Sequence, residues 1–296
     1  MAIAEAYRRQ VELLVRLIPL VDEEKDFALK GGTAINLFVR DLPRLSVDID
    51  LAYLPIEDRA ASLAAIDAGM RAIAKRAEAR LPNAHATFGL VEPERSAIKT
   101  IVQVGRAQVK VEATPVLRGS VYPPERRAVS PRVEDEFGFA EMAVLAFADL
   151  YAGKAVAALD RQHPRDLFDI RDLLANEGIT DELREAFVVY LLGHNRGLHE
   201  VLDPGHLDIA QEFARGFAGM TDRPVALEDL YAAREAVDHL AGRSHAGAAP
   251  PTAHRLHGGR SGLESARAVA CEGPAGGPLA DAQRGEADAR TPRRAH

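Results

Sequence analysis

Apolar positions recur at helical spacing over residues 3–19, where Tyr7, Val11, Leu14, Val15 and Ile18 form one stripe. A short apolar run at 27–29 reads as a strand that enters Gly31-Gly32-Thr33, and a helix follows to about Val39. Residues 46–52, SVDIDLA, alternate strictly. Val47, Ile49 and Leu51 therefore point to one face of a strand, and Asp48 and Asp50 to the other. A long Ala-rich helix covers 57–80. Strands follow near 85–91, 97–104 and 108–114, and the last two flank Gly105-Arg106, which predicts a hairpin. In the last strand Val109 and Val111 face the core, while Lys110 and Glu112 share the opposite face. From 140 onward the period is helical, over 141–160, 165–176, 180–192, 206–217 and 226–241. This order predicts an α+β fold: an α/β domain over 1–135, then a mostly helical domain over 136–242.

The pattern stops there. Residues 243–296 hold 26 Ala, Gly or Pro among 54, with no Phe, Tyr or Ile. That is too little apolar area to offset the entropy of ordering a chain, so a disordered tail is expected. The tail is basic, with eight Arg against five Asp or Glu, whereas the whole chain carries −7. Its Ala, Gly and Arg bias is what a GC-rich gene gives when read out of frame. A frameshift near 243 is therefore expected, and sequencing the gene checks it. Cys271, the single cysteine, falls in this tail, and one cysteine excludes a disulfide framework or a zinc ribbon. No run approaches the roughly 18 apolar residues of a membrane span. The N-terminus lacks the apolar core of a secretory signal, so a cytoplasmic location is expected. The acidic balance means that any nucleic-acid contact must use a local basic patch.

Three carboxylates can meet on one side of the sheet. Asp48 and Asp50 share a strand face, and Glu112 stands on another strand. Carboxylates aimed at one point repel unless a divalent cation sits between them, and hard oxygen ligands with waters left over suit Mg²⁺. Such a site serves phosphoryl or nucleotidyl transfer. Upstream, Gly31-Gly32-Thr33 lies between a strand and a helix, where small residues and free N–H groups suit a phosphate. Each element alone has an ordinary explanation: a chance Asp-x-Asp, a turn with a helix cap, a solvated Glu. Their order and facing favour a joint site.

The stretch LKGGTAINLFVRDLPRLSVDIDLAY resembles the signature of the AbiEii/AbiGii toxin family, within the DNA-polymerase-β-like nucleotidyltransferases. Gly31, Gly32 and Thr33 match its opening turn, Arg44 and Ser46 its Arg-x-Ser segment, and Asp48 and Asp50 its Asp-x-Asp. The later stretch FADLYAGKAVAALDRQHPRDLFDIRDLL is similar too, with Lys154 followed by Arg165, Asp166 and Asp169. QVKVEATPVLRG places Lys110 and Glu112 where such enzymes carry a third carboxylate. The resemblance implies a polymerase-β-like core and the toxin of a toxin–antitoxin or phage-defence pair. It implies NMP transfer from an NTP, with the 3′ end of tRNA as acceptor, and a winged-helix antitoxin encoded nearby. By the same resemblance Gly31, Gly32 and Thr33 hold the triphosphate, and Asp48 and Asp50, with Glu112, bind Mg²⁺. Lys154 contacts phosphate or the transition state, and Asp169 with Asp166 completes the site. Out-of-frame codons for Leu263 to Asp288 also permit an LPAVRW segment like the family's usual ending.

Other readings stay open at this level. Lys154 and Arg161 with Asp166 and Asp169 also fit an interhelical salt-bridge set. His163, before Pro164, reads as a loop residue rather than a base. The acceptor can instead be a small molecule or a protein hydroxyl, and a non-catalytic nucleotide- or partner-binding protein is the alternative of another class.

Overall fold

The structure, a computed structural model, describes residues 5–247 except 93, 94, 203, 204 and 222. The first helix, α1 (Glu5–Val21), leads to strand β1 (Phe27–Lys30). The chain then turns directly into α2 (Gly31–Thr33), which continues as a π-wound turn over Ala34–Val39. Strand β2 (Asp48–Tyr53), helix α3 (Arg59–Arg80) and strands β3 (Ala84–Val91), β4 (Ser96–Val104) and β5 (Ala107–Arg118) follow. The β4–β5 hairpin turns at Gly105, whose φ of 58° suits glycine. Next come β6 (Glu125–Ala128), α4 (Pro131–Phe137) and β7 (Glu141–Val144). The helical remainder comprises α5 (Phe147–Arg161), α6 (Pro164–Asn176), α7 (Asp181–Leu192), α8 (Leu198–Leu202), α9 (Ala210–Gly216) and α10 (Leu227–Gly247).

Seven strands form one mixed sheet in the order β3-β4-β5-β2-β1-β7-β6. The expected α+β architecture, a mixed sheet with flanking helices and then a helical region, is what the chain adopts. The β2–β5 pair is parallel and fixes the chemistry, because its register sets Asp48 beside Lys110 and Asp50 beside Glu112. The antiparallel β1–β2 pair sets Lys30 beside Asp50. Alternation does the rest: Ile49, Leu51, Val109 and Val111 are fully buried, and the charged residues between them share the other face. On the apolar side α1 packs against β5 and β7, and α3 against β3, β4 and β5.

Two strands depart from the sequence reading. Residues 141–144, expected to open a helix, form β7 beside β1 and β6. Met142 and Val144 are buried there by strand alternation, which a four-residue segment running into FADLYAGKAV does not reveal. Segment β6 is ERRA, an edge strand without apolar alternation. One continuous core joins the sheet to α5, α6, α7 and α10, on both sides of position 135. Helix α10 is described through Gly247; residues 248–296, and with them most of the expected tail and Cys271, lie outside the described residues.

Candidate active site

The Gly-Gly turn is shaped by its neighbours. Gly31 has φ of 74°, and a Cβ there would sit 2.6 Å from Asp50 Oδ2. A Cβ on Gly32 would sit 2.9 Å from both Arg44 Nη2 and Ser46 Oγ. The turn therefore lies flat against the carboxylate strand, which only glycine permits. Thr33 donates to the Asp48 carbonyl at 2.5 Å and accepts from the Ser46 hydroxyl at 3.0 Å, so its hydroxyl pins the turn to β2. Gly31→Ala combines the left-handed φ with the clash on Asp50. It is expected to lose transfer activity and at least about 1–2 kcal/mol of stability, read by turnover and a denaturant titration.

On the other, half-buried side of the sheet, Asp48, Asp50, Lys30, Lys110 and Glu112 share one face. Burial pushes the Asp50 carboxyl up. Lys30 and Lys110 pull it back, Asp48 adds repulsion, Lys154 opposes it, and the net shift is upward. Lys30 is itself pulled down by burial, against Asp50 and Glu112. Glu112 shares the face, but its carboxylate pairs with Lys110 at 2.9 Å. Among the described residues no three His, Cys, Asp or Glu close around one point. The Asp48–Asp50 pair is an open donor set, and it fits a hard divalent cation whose remaining positions go to triphosphate and water.

The helical region closes the site from behind. Lys154 on α5 is buried and bridges Asp166 at 2.8 Å and Asp169 at 3.1 Å on α6. These are the partners of the salt-bridge alternative, and Lys154 is also close enough to Asp50 to be felt electrostatically. Asp169 is fully occupied. Arg44 grips it with Nε at 2.8 Å and Nη2 at 2.6 Å, and Asn36 Nδ2 donates to it at 3.1 Å. Arg44, Asp169, Lys154 and Asp166 form a buried chain of alternating charge that Arg161 ends at the surface, 2.6 Å from Asp166. The same Asn36 amide also donates to the Gly32 carbonyl at 2.9 Å, which ties the glycine turn to Asp169. His163 caps α6, with Nδ1 accepting from the Arg165 N–H.

Burial alone would raise the Asp166 carboxyl, but Lys154 and Arg161 overcome it and hold it well below the usual carboxylate range. A depressed folded pKa gives stability that is present above the unfolded value and lost as pH falls through the folded one. The stability gap between the parent and Asp166→Asn should therefore be constant near neutrality. It should shrink below about pH 4, as pH-resolved denaturant titrations would show.

Sequence reading grouped Gly31, Gly32, Thr33, Asp48, Asp50 and Glu112 on the sheet side, and Lys154, Asp166 and Asp169 on the helical side. The structure brings the two sets together. It adds Lys30, Arg44 and Asn36, of which Arg44 was visible only as part of the Arg-x-Ser segment.

A glycine turn and helix start laid against an Asp-x-Asp strand, with a lysine closing from a helical region, define a nucleotidyltransferase. A family model for the AbiEii nucleotidyl transferase toxin of type IV toxin–antitoxin systems matches residues 12–245, and the chain belongs to that family. It is therefore a toxin-type nucleotidyltransferase with an NTP substrate and a cognate antitoxin. Its fold is similar to that of MenT4, a nucleotidyltransferase toxin from Mycobacterium tuberculosis H37Rv. That match has a TM-score of 0.60 and 18% identity, and covers 91% of this chain and 90% of that one. No curated protein sequence matches the chain. Among the described residues no helix is long and apolar enough to cross a membrane.

Proposed function

We propose that the chain transfers NMP from an NTP to the 3′ end of tRNA in a Mg²⁺-dependent reaction, in the cytoplasm. A winged-helix antitoxin would restrain it. The observation that carries this reading is the junction of the Gly31-Gly32 turn with the half-buried Asp50 carboxylate, 2.6 Å from where a Gly31 Cβ would stand. In this reading the segment 1–135 binds nucleotide and 136–242 completes the site.

The roles follow from placement. Gly31, Gly32 and Thr33 present the start of α2 to the triphosphate, whose charge suits free N–H groups. Asp48 and Asp50, with Glu112 beside them, would hold Mg²⁺, which supplies charge neutralisation on the triphosphate and acidifies the acceptor hydroxyl. Lys30 and Lys154 flank the carboxylates and stabilise charge that builds on the phosphates. The acceptor hydroxyl gives its proton to solvent, its oxygen bonds to the α-phosphorus, the bond to the bridging oxygen breaks, and pyrophosphate leaves with the electron pair. Asp169 and Asp166 hold Lys154 in place.

The test is incubation with each labelled NTP and either total tRNA or a protein extract. Label on the 3′ end of tRNA is expected. Label on protein or on small molecules alone moves the acceptor to the alternative class, and no transfer with any NTP rejects the reading.

A further inference from the structure

A recess of about 410 Å³ opens between the segment after the π-wound turn, the start of α4, one face of α6 and the loop after α9. Asp41, Arg132, Phe168, Arg171, Asp172 and Arg223 line it. Both acids are already engaged: Asp41 accepts from the Arg132 backbone N–H at 3.0 Å, and Asp172 pairs with Arg40 at 2.9 Å. Arg132 is held by Glu136 at 2.9 Å. The other two guanidiniums are less committed. Arg171 lies over the Phe168 ring, 4.6 Å from its centroid, and its nearest carboxylate is Asp229 at 3.8 Å. Arg223 is exposed and meets no carboxylate among the described residues.

We propose that this recess holds a backbone phosphate of the acceptor nucleic acid, an assignment that rests on the nucleic-acid reading of the acceptor. A chain with net charge −7 repels a polyanion everywhere except at a local basic patch, and this recess is such a patch. A planar guanidinium presents paired donors that match two phosphate oxygens. The Phe168 ring fixes the plane of Arg171 in advance, which lowers the entropy lost on binding. The position is also suitable. Pro43 lines the recess and adjoins Arg44, and Asp172 lies one turn beyond Asp169 on α6. The recess thus backs onto the Arg44–Asp169 pair that borders the Asp48–Asp50 face.

The test is binding of the parent and of Arg171→Gln/Arg223→Gln to labelled tRNA at several salt concentrations, with NTP affinity and melting temperature measured on the same proteins. The double variant is expected to bind tRNA about tenfold more weakly, with a salt slope reduced by about 2, while NTP affinity and melting temperature hold. If the parent binds tRNA and the variant matches it in affinity and slope, the recess assignment fails and the acceptor reading stands. If the parent binds no tRNA even at low salt, both fail. If the variant keeps its tRNA affinity but loses its antitoxin, the recess belongs to an acidic protein partner and the assignment is overturned.

Discussion

Asp50→Asn should reduce nucleotidyl transfer by about 10³-fold or more while leaving the melting temperature equal or higher. The two effects have one cause. Asp50 is half-buried beside Asp48, and desolvation with that repulsion raises its carboxyl above the ordinary value despite three lysines. A raised carboxyl costs folding stability wherever the pH lies above its unfolded value. The neutral amide, of nearly the same shape, removes that cost and leaves the proposed Mg²⁺ site with a weak neutral carbonyl in place of an anionic carboxylate. Asp48→Ala should lose activity to a similar degree, and the double variant should lose little more, because the two carboxylates act as a unit. Turnover measured beside a thermal melt decides it: transfer at the parental rate in either variant rejects the site.

Arg44→Ala should cost about 3–5 kcal/mol, because it strands the fully buried Asp169 carboxylate without its bidentate partner. For a chain of this size that corresponds to a fall in melting temperature on the order of 10 °C. Arg44→Lys should recover only part of it, since an ammonium cannot reproduce the fork that reaches both oxygens. The informative variant is the double exchange Arg44→Met/Asp169→Leu. Replacing a buried pair with apolar groups of similar volume is often neutral for stability. The melting temperature should return toward the parent, whereas turnover should stay low because Lys154 has lost one of its two anchors. Recovery of both together would mean that the pair serves stability alone.

The sheet side of the site was legible because its signals are local. The alternation in SVDIDLA sets the facing of Asp48 and Asp50, and Gly31-Gly32 announces a tight approach. The helical side was legible only as a choice between a phosphate contact and a salt bridge. The structure shows the salt bridges, with Lys154 paired to both Asp166 and Asp169, and the phosphate contact remains part of the proposal. Lys30 was missed because its meaning depends on the register of β1 against β2, across 20 residues of sequence. Asn36 was missed because its partner Asp169 lies 133 positions away and only the tertiary packing brings the two together. Strands β6 and β7 are four residues each, too short for a period to emerge.

The buried charge chain also orders events during synthesis. Asp50 and Asp169 are separated by 119 positions, so at about 5–20 residues per second the ribosome takes roughly 6–24 s to pass from one to the other. A nascent chain that has exposed the sheet but not α6 holds the glycine turn and the carboxylate pair without the partners that lock them together. Until α6 has emerged the chain lacks Asp166 and Asp169, the two anchors of Lys154, and the proposed site is incomplete. Ribosome-bound chains stalled before Lys154 should transfer no nucleotide, and chains stalled well after α10 should.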